Sequence, residues 1–147
     1  MKKNIWLRYF LIITPILLLV YWRDNIFDGY KDFTKQHIII NPILFELIFY
    51  VIIGLLLGLE HFIQEMGKTG KWGINMAKLV FLGIPSLYFS FGYSIYFGLG
   101  RFLPHALTYP ITMLINTTPS SLPVFQMILG YSIITVFIKN ERINERG

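Results

Sequence analysis

The stretch PILFELIFYVIIGLLLGL, from Pro42 to Leu59, holds eighteen residues with a single charge, Glu46, and decides how the chain is read. A helix needs about 20 predominantly apolar residues to cross a bilayer core, because a backbone polar group left unpaired in hydrocarbon is costly. Pro42 suits a first helical turn, and the apolar run predicts a span over 42–59 that continues as a wetter helix to Met66 before Gly67 stops it.

Three further stretches qualify on either side. The first runs over about 5–22 behind Lys2 and Lys3. It resembles a signal peptide in charge and length, but it ends in Val20-Tyr21-Trp22-Arg23-Asp24 with no small-residue cleavage site, so it is expected to be retained. The third spans about 74–99 with Pro85 inside, which predicts a kink. The fourth covers about 122–138. The fold class expected is therefore an all-α integral membrane protein, a single membrane domain over 1–147 with four transmembrane helices.

Composition agrees with that reading. The chain has 147 residues, 54% hydrophobic and 17% aromatic, and only 14% charged where a soluble domain carries about a quarter. A domain of this length cannot bury so much apolar surface, so the excess is expected to face lipid. The net charge of +5 is scattered over tails and loops rather than gathered on one face, which argues against nucleic acid as a partner. The absence of cysteine excludes disulfides, thiol catalysis and thiolate metal sites.

Lysine and arginine outside the apolar cores divide unequally. Lys2, Lys3, Arg8, Lys68, Lys71, Lys78, Lys139, Arg142 and Arg146 fall on one side, against Arg23, Lys31, Lys35 and Arg101 on the other. The cytoplasmic side normally holds the excess, so both termini are expected there. Trp6, Trp22 and Trp72 fall at span ends, as an aromatic belt requires. Abundant Ile, Lys and Asn follow the pattern of an AT-rich bacterial genome, and a bacterial cell membrane is the expected location.

Two outer connections carry structure of their own. Ile26, Phe27, Tyr30 and Phe33 share one helical face while Asp24, Asp28, Lys31, Asp32 and Lys35 occupy the rest, which predicts a short interfacial helix. From Arg101 to Pro123, four prolines interrupt an apolar segment. One or two helical turns are expected between Pro104 and Ile115, lying at the membrane interface or dipping partly in.

Few residues suggest chemistry. Gly67-Lys68-Thr69 ends like a phosphate-binding loop, but Phe62 stands where the first glycine should be and a membrane helix replaces the preceding strand. His61 and Glu65 share a face at i and i+4, with too few further ligands for zinc, so no metal and no cofactor is expected. Glu46 is the most informative residue, since a carboxylate one turn inside a span must be paired or functional; Arg101, Lys31 and Lys35 are its expected structural partners. Ser86, Ser90, Ser94 and Gly98 repeat every four residues along the third span, and Gly54 and Gly58 do so in the second. Such rows let helices approach closely and predict packing of these two spans on each other or on a second copy.

Three function classes follow. The first expectation is an accessory, scaffold or regulatory subunit of a membrane assembly, with the lipid bilayer and either a second copy or another membrane protein as partners. The alternative is a small oligomeric transporter or channel using Glu46 and the face of Ser86, Ser90 and Ser94. The third is a lipid-modifying enzyme at the outer interface, using His105 or the Asp24 to Asp32 helix; it lacks a convincing acid, base and nucleophile set, so no enzyme activity is expected.

Overall fold

The structure, a computed structural model, describes residues 3–36, 42–99, 102–118 and 121–140. It is 84% helical and all-α in class. The elements run α1 (Lys3–Tyr21), α2 (Arg23–Gln36), α3 (Pro42–Met66), β1 (Lys71–Ile74), α4 (Met76–Lys78), α5 (Ile84–Ser90), α6 (Gly92–Ser94), α7 (His105–Thr117), α8 (Leu122–Thr135) and β2 (Phe137–Asn140). Two π-helical turns, Leu79–Gly83 and Ile95–Leu99, follow α4 and α6.

Among the described residues one helix, α3, is long and apolar enough to cross a membrane alone. Its best 18-residue window has mean hydropathy 2.4, and only 28% of that window is buried within the protein. The other three expected spans are not matched by single helices of that length among the described residues. The 5–22 stretch lies in α1, and Tyr9–Tyr21 meets the length and hydropathy of a span only together with Arg23–Asp32, from which it is bent by 53°. The third and fourth appear as the shorter apolar helices Met76–Ser90 and Leu122–Thr135.

The core is the contact of α3 with α8. A Cβ at Gly54 would stand 2.0 Å from the Met127 carbonyl oxygen, and one at Gly130 would stand 2.1 Å from that of Val51. Gly58 meets the Ile134 side chain and the Tyr131 carbonyl in the same way. The two helices therefore run parallel with their backbones in direct contact, an approach only residues without Cβ allow. The partner of the Gly54 and Gly58 row is thus α8, not the serine-bearing third segment.

That third segment packs on the other flank of α8, running the opposite way. Gly83 lies beside Ser132, the Phe89 ring meets Phe125 at 4.7 Å, and Gly92 abuts Leu122. It departs from one continuous span over 74–99 at both ends. Ile74 belongs to β1, because Asn75 caps α4 by accepting from the Lys78 N–H at 3.1 Å. Before Pro85 the helix widens, the Ile84 N–H reaching five residues back to Leu79 O; a proline ring clashes with the carbonyl four residues earlier, and the wider turn relieves this. A second break falls at Phe91, with φ −87° and ψ 12°. It turns Gly92 beneath Leu122 and Ile111, the latter fully buried.

The helix expected in the first outer connection is present as α2, and two further expectations are corrected. The apolar face of α2 meets α3: Tyr30 stacks on Phe45 at 3.9 Å, and Phe27 meets Phe45 and Phe49 edge-on, each at 5.4 Å. The connection after Pro104 forms a helix of 13 residues instead of one or two turns, with Pro110 inside it. The fourth apolar helix stops at Thr135, and Phe137–Asn140 pairs antiparallel with Lys71–Ile74, joining Trp72 to Lys139 and Ile74 to Phe137.

Replacing Gly130 by Ala forces the α3 and α8 backbones apart and is expected to lower stability by about 1–3 kcal/mol. Gly29→Ala, on α2 with nothing within 4 Å, should instead stabilise by up to about 1 kcal/mol. Unfolding titrations of both variants in detergent micelles check the contrast.

Candidate functional site

Polar side chains gather in three places. At the end of the bundle where α3 finishes, Glu65 is buried, its Oε2 accepts the Lys139 backbone N–H at 2.8 Å, and its Oε1 accepts from Lys68 Nζ. Lys139 Nζ donates to Met66 O at 3.0 Å and to Lys68 O at 2.7 Å, and lies over the Trp72 ring at 5.1 Å. A carboxylate thus satisfies an edge donor of β2, while a cation from β2 closes the carbonyl end of α3, where the helix dipole favours positive charge. Lys78 Nζ, 3.5 Å from His61 Nε2, donates to Thr135 O at 3.4 Å. These contacts are spent on holding the ladder to two helix ends. Gly67-Lys68-Thr69 belongs to this cap, directly after α3.

The second place is the seam between the third segment and α8. Ser86 and Ser90 are buried there, and Ser94 is half-buried. The break at Phe91 interrupts the four-residue row, so Gly92 takes the buried position that continuous spacing assigns to Ser94. Ser86 Oγ donates to Gly83 O at 3.0 Å and Ser132 Oγ to Leu129 O at 2.9 Å, each turning back on its own helix. Ser90 Oγ and Gln126 Oε1 are buried without a hydrogen-bond partner. Gly98 belongs to the Ile95–Leu99 turn, and its surroundings lie outside the described residues. Beside this seam a groove of about 550 Å3, lined by Val51, Leu79, Leu87 and Leu129 among other apolar side chains, offers nothing to orient a ligand.

The third place is a lateral cavity of about 600 Å3 between α3 and the first turns of α8, closed by Val20, Arg23 and Tyr93. Among the described residues its charged groups are Arg23 and Glu46. Arg23 sits where α1 bends into α2; its Nε donates to the Tyr50 hydroxyl at 2.8 Å, and its Nη1 lies 3.3 Å from exposed Asp24. Its guanidinium also lies 5.2 Å from the Phe27 ring centre and 5.9 Å from that of Tyr50. Glu46 and Tyr50 are four residues apart on α3, so both face the same space. Of the partners expected for Glu46, Lys31 is engaged by Asp28 at 3.0 Å. Arg101 and the Lys35 side chain lie outside the described residues.

Arg23 and Tyr50 carry no motif, and in the sequence Arg23 stands out only as a charge beyond the first apolar stretch. The signal that could have found them is the tryptophan-arginine pair at the end of the first apolar stretch, with a tyrosine one turn beyond Glu46. His105 is set against Tyr109 at 5.6 Å between ring centres, both exposed on α7.

Glu65→Ala should free the Lys139 N–H, so that its amide hydrogen exchange quickens by at least about tenfold while that of α8 stays protected. Equal acceleration in α8 would show that the carboxylate holds the whole bundle rather than the ladder. No protein-family model, curated protein or solved structure matches this chain.

Proposed function

We propose that the protein is a four-pass protein of a bacterial cell membrane with both termini cytoplasmic, acting as an accessory, scaffold or regulatory subunit of a membrane assembly. The observation that carries the assembly reading is α1. Of its side chains, Ile12 is the one buried among those described, while Trp6, Phe10, Leu11, Leu17 and Leu18 are each more than half exposed. An apolar helix so little used by its own chain has surface to spare for lipid or for a neighbouring helix.

Two further features support it. Fourteen residues of α8 rise about 21 Å, short of a bilayer core of about 30 Å, and short spans are accommodated by thinning the bilayer or by association. The hydroxyls of Ser86, Ser132 and Thr135 are engaged with backbone carbonyls, which favours packing over conduction.

The topology has its own support. Lys68, Lys78 and Lys139, from three separate segments, meet at one end of the bundle, while Arg23 and Lys31 belong to the other. Apolar helices successive in sequence also run in opposite directions, as multi-pass chains do.

Purification from the native membrane in mild detergent, with mass determination, tests the assembly reading. A complex heavier than the 17.2 kDa chain, with a stoichiometric partner or further copies, is expected; a lone monomer overturns it. In intact cells Lys31→Cys should react with an impermeant thiol reagent, and Lys68→Cys only after permeabilisation. Labelling of both from one side overturns the topology.

A further inference from the structure

The cavity at Arg23 and Glu46 holds one cation and one anion in a half-buried, partly apolar space. A ligand with a single charge would satisfy one and leave the other facing an unmatched neighbour, which is costly away from water. We infer that this cavity binds the headgroup of a zwitterionic phospholipid, with its ammonium at Glu46 and its phosphate at Arg23 and Tyr50. The inference rests on α3 being a membrane span.

Capacity for both groups is present. A guanidinium has five N–H donors, of which Tyr50 and Asp24 engage two. The remainder suit the paired oxygens of a phosphate. The Tyr50 hydroxyl accepts from Arg23 and keeps its own proton to donate. Glu46 makes no hydrogen bond or ion pair with another described residue. Phe49, Tyr50 and Tyr93 line the same cavity, and aromatic rings attract ammonium groups, quaternary ones included.

The order of these groups along α3 matches the order of groups in a lipid. Glu46 lies nearest the start of the helix, Tyr50 follows one turn or about 6 Å further in, and Ile53 comes next. Ile53, Val124 and Met127 line the apolar part of the cavity. Read from the membrane surface inward, this gives carboxylate, then guanidinium and hydroxyl, then hydrocarbon. A phosphoethanolamine lipid presents ammonium, phosphate and acyl chain in that sequence, the first two joined by a two-carbon link.

The same phosphoethanolamine chemistry occurs in a soluble diester, so the test includes both sources. The full chain in detergent is mixed with dioleoyl phosphatidylethanolamine or dioleoyl phosphatidylglycerol, and retained lipid is counted by native mass spectrometry. About tenfold greater retention of the ethanolamine lipid is expected, equivalent to about 1.4 kcal/mol.

Glu46→Gln should remove that preference and leave glycerol-lipid retention unchanged. Tyr50→Phe, which deletes one oxygen, should weaken both lipids several-fold. Equal retention by the native protein overturns the proposal, as does an unchanged preference in Glu46→Gln. Displacement by glycerophosphoethanolamine at equal concentration overturns the lipid assignment in favour of a soluble ligand. A chain that stays monodisperse without detergent overturns the membrane reading instead.

Discussion

Backbone touches backbone where α3 crosses α8, and nearly everything else in the molecule is arranged around that approach. Gly54 and Gly130 each present bare Cα to the other helix's carbonyl, and Gly58 repeats the contact one turn on. So close an approach brings the two backbones into van der Waals contact along the length of the crossing, which side chains with a Cβ would prevent. With α3 held on one flank, α8 offers the other to the serines of the third segment. It is buried on both sides although only fourteen residues long. The ladder of β1 and β2 then ties the chain just beyond α8 to the loop that leaves α3.

Polar groups follow a division of labour set by their neighbours. Glu65 lies in a ring of donors that includes a backbone N–H and an ammonium, so its charge is matched within the protein. Among the described residues, Glu46 shares its cavity with apolar and aromatic groups and with the guanidinium of Arg23, which is already engaged by Tyr50. Two carboxylates on one helix thus stand in opposite settings: Glu65 closes one end of the structure, and Glu46 lines a cavity near the other.

What could be read in advance was what a single segment specifies by itself. The helix that begins at Pro42 was legible because its apolar run is long and uninterrupted, and Glu46 stood out as the single charge between residues 42 and 59. The start of α8 was legible from Pro123 in its first turn. Its end was not, since Val136-Phe137-Ile138 suits strand as well as helix, and the choice is made by a partner strand more than 60 residues away. The spacing of Gly54 and Gly58 announced a close contact without naming its complement, because Gly130 stands alone in its helix. Ser94 was placed with Ser86 and Ser90 on the assumption of regular turns, which Pro85 and the break at Phe91 do not respect. The meeting of Arg23 with Tyr50 depends on the bend between α1 and α2, which no local pattern encodes.

The parallel pairing of α3 with α8 also governs the order in which the molecule can be made. Residue 54 and residue 130 are far apart in the chain, and everything between them leaves the ribosome before the contact can close. During that interval the glycine face of α3 has no partner, and the third segment, with its widened turn and buried serines, has no surface on which to settle. Chains dominated by such distant contacts assemble late and expose their interior surfaces while they wait. The newly made chain therefore passes through a stage in which its glycine-bearing helix is bare, and whatever lies beside it then has first access to that face.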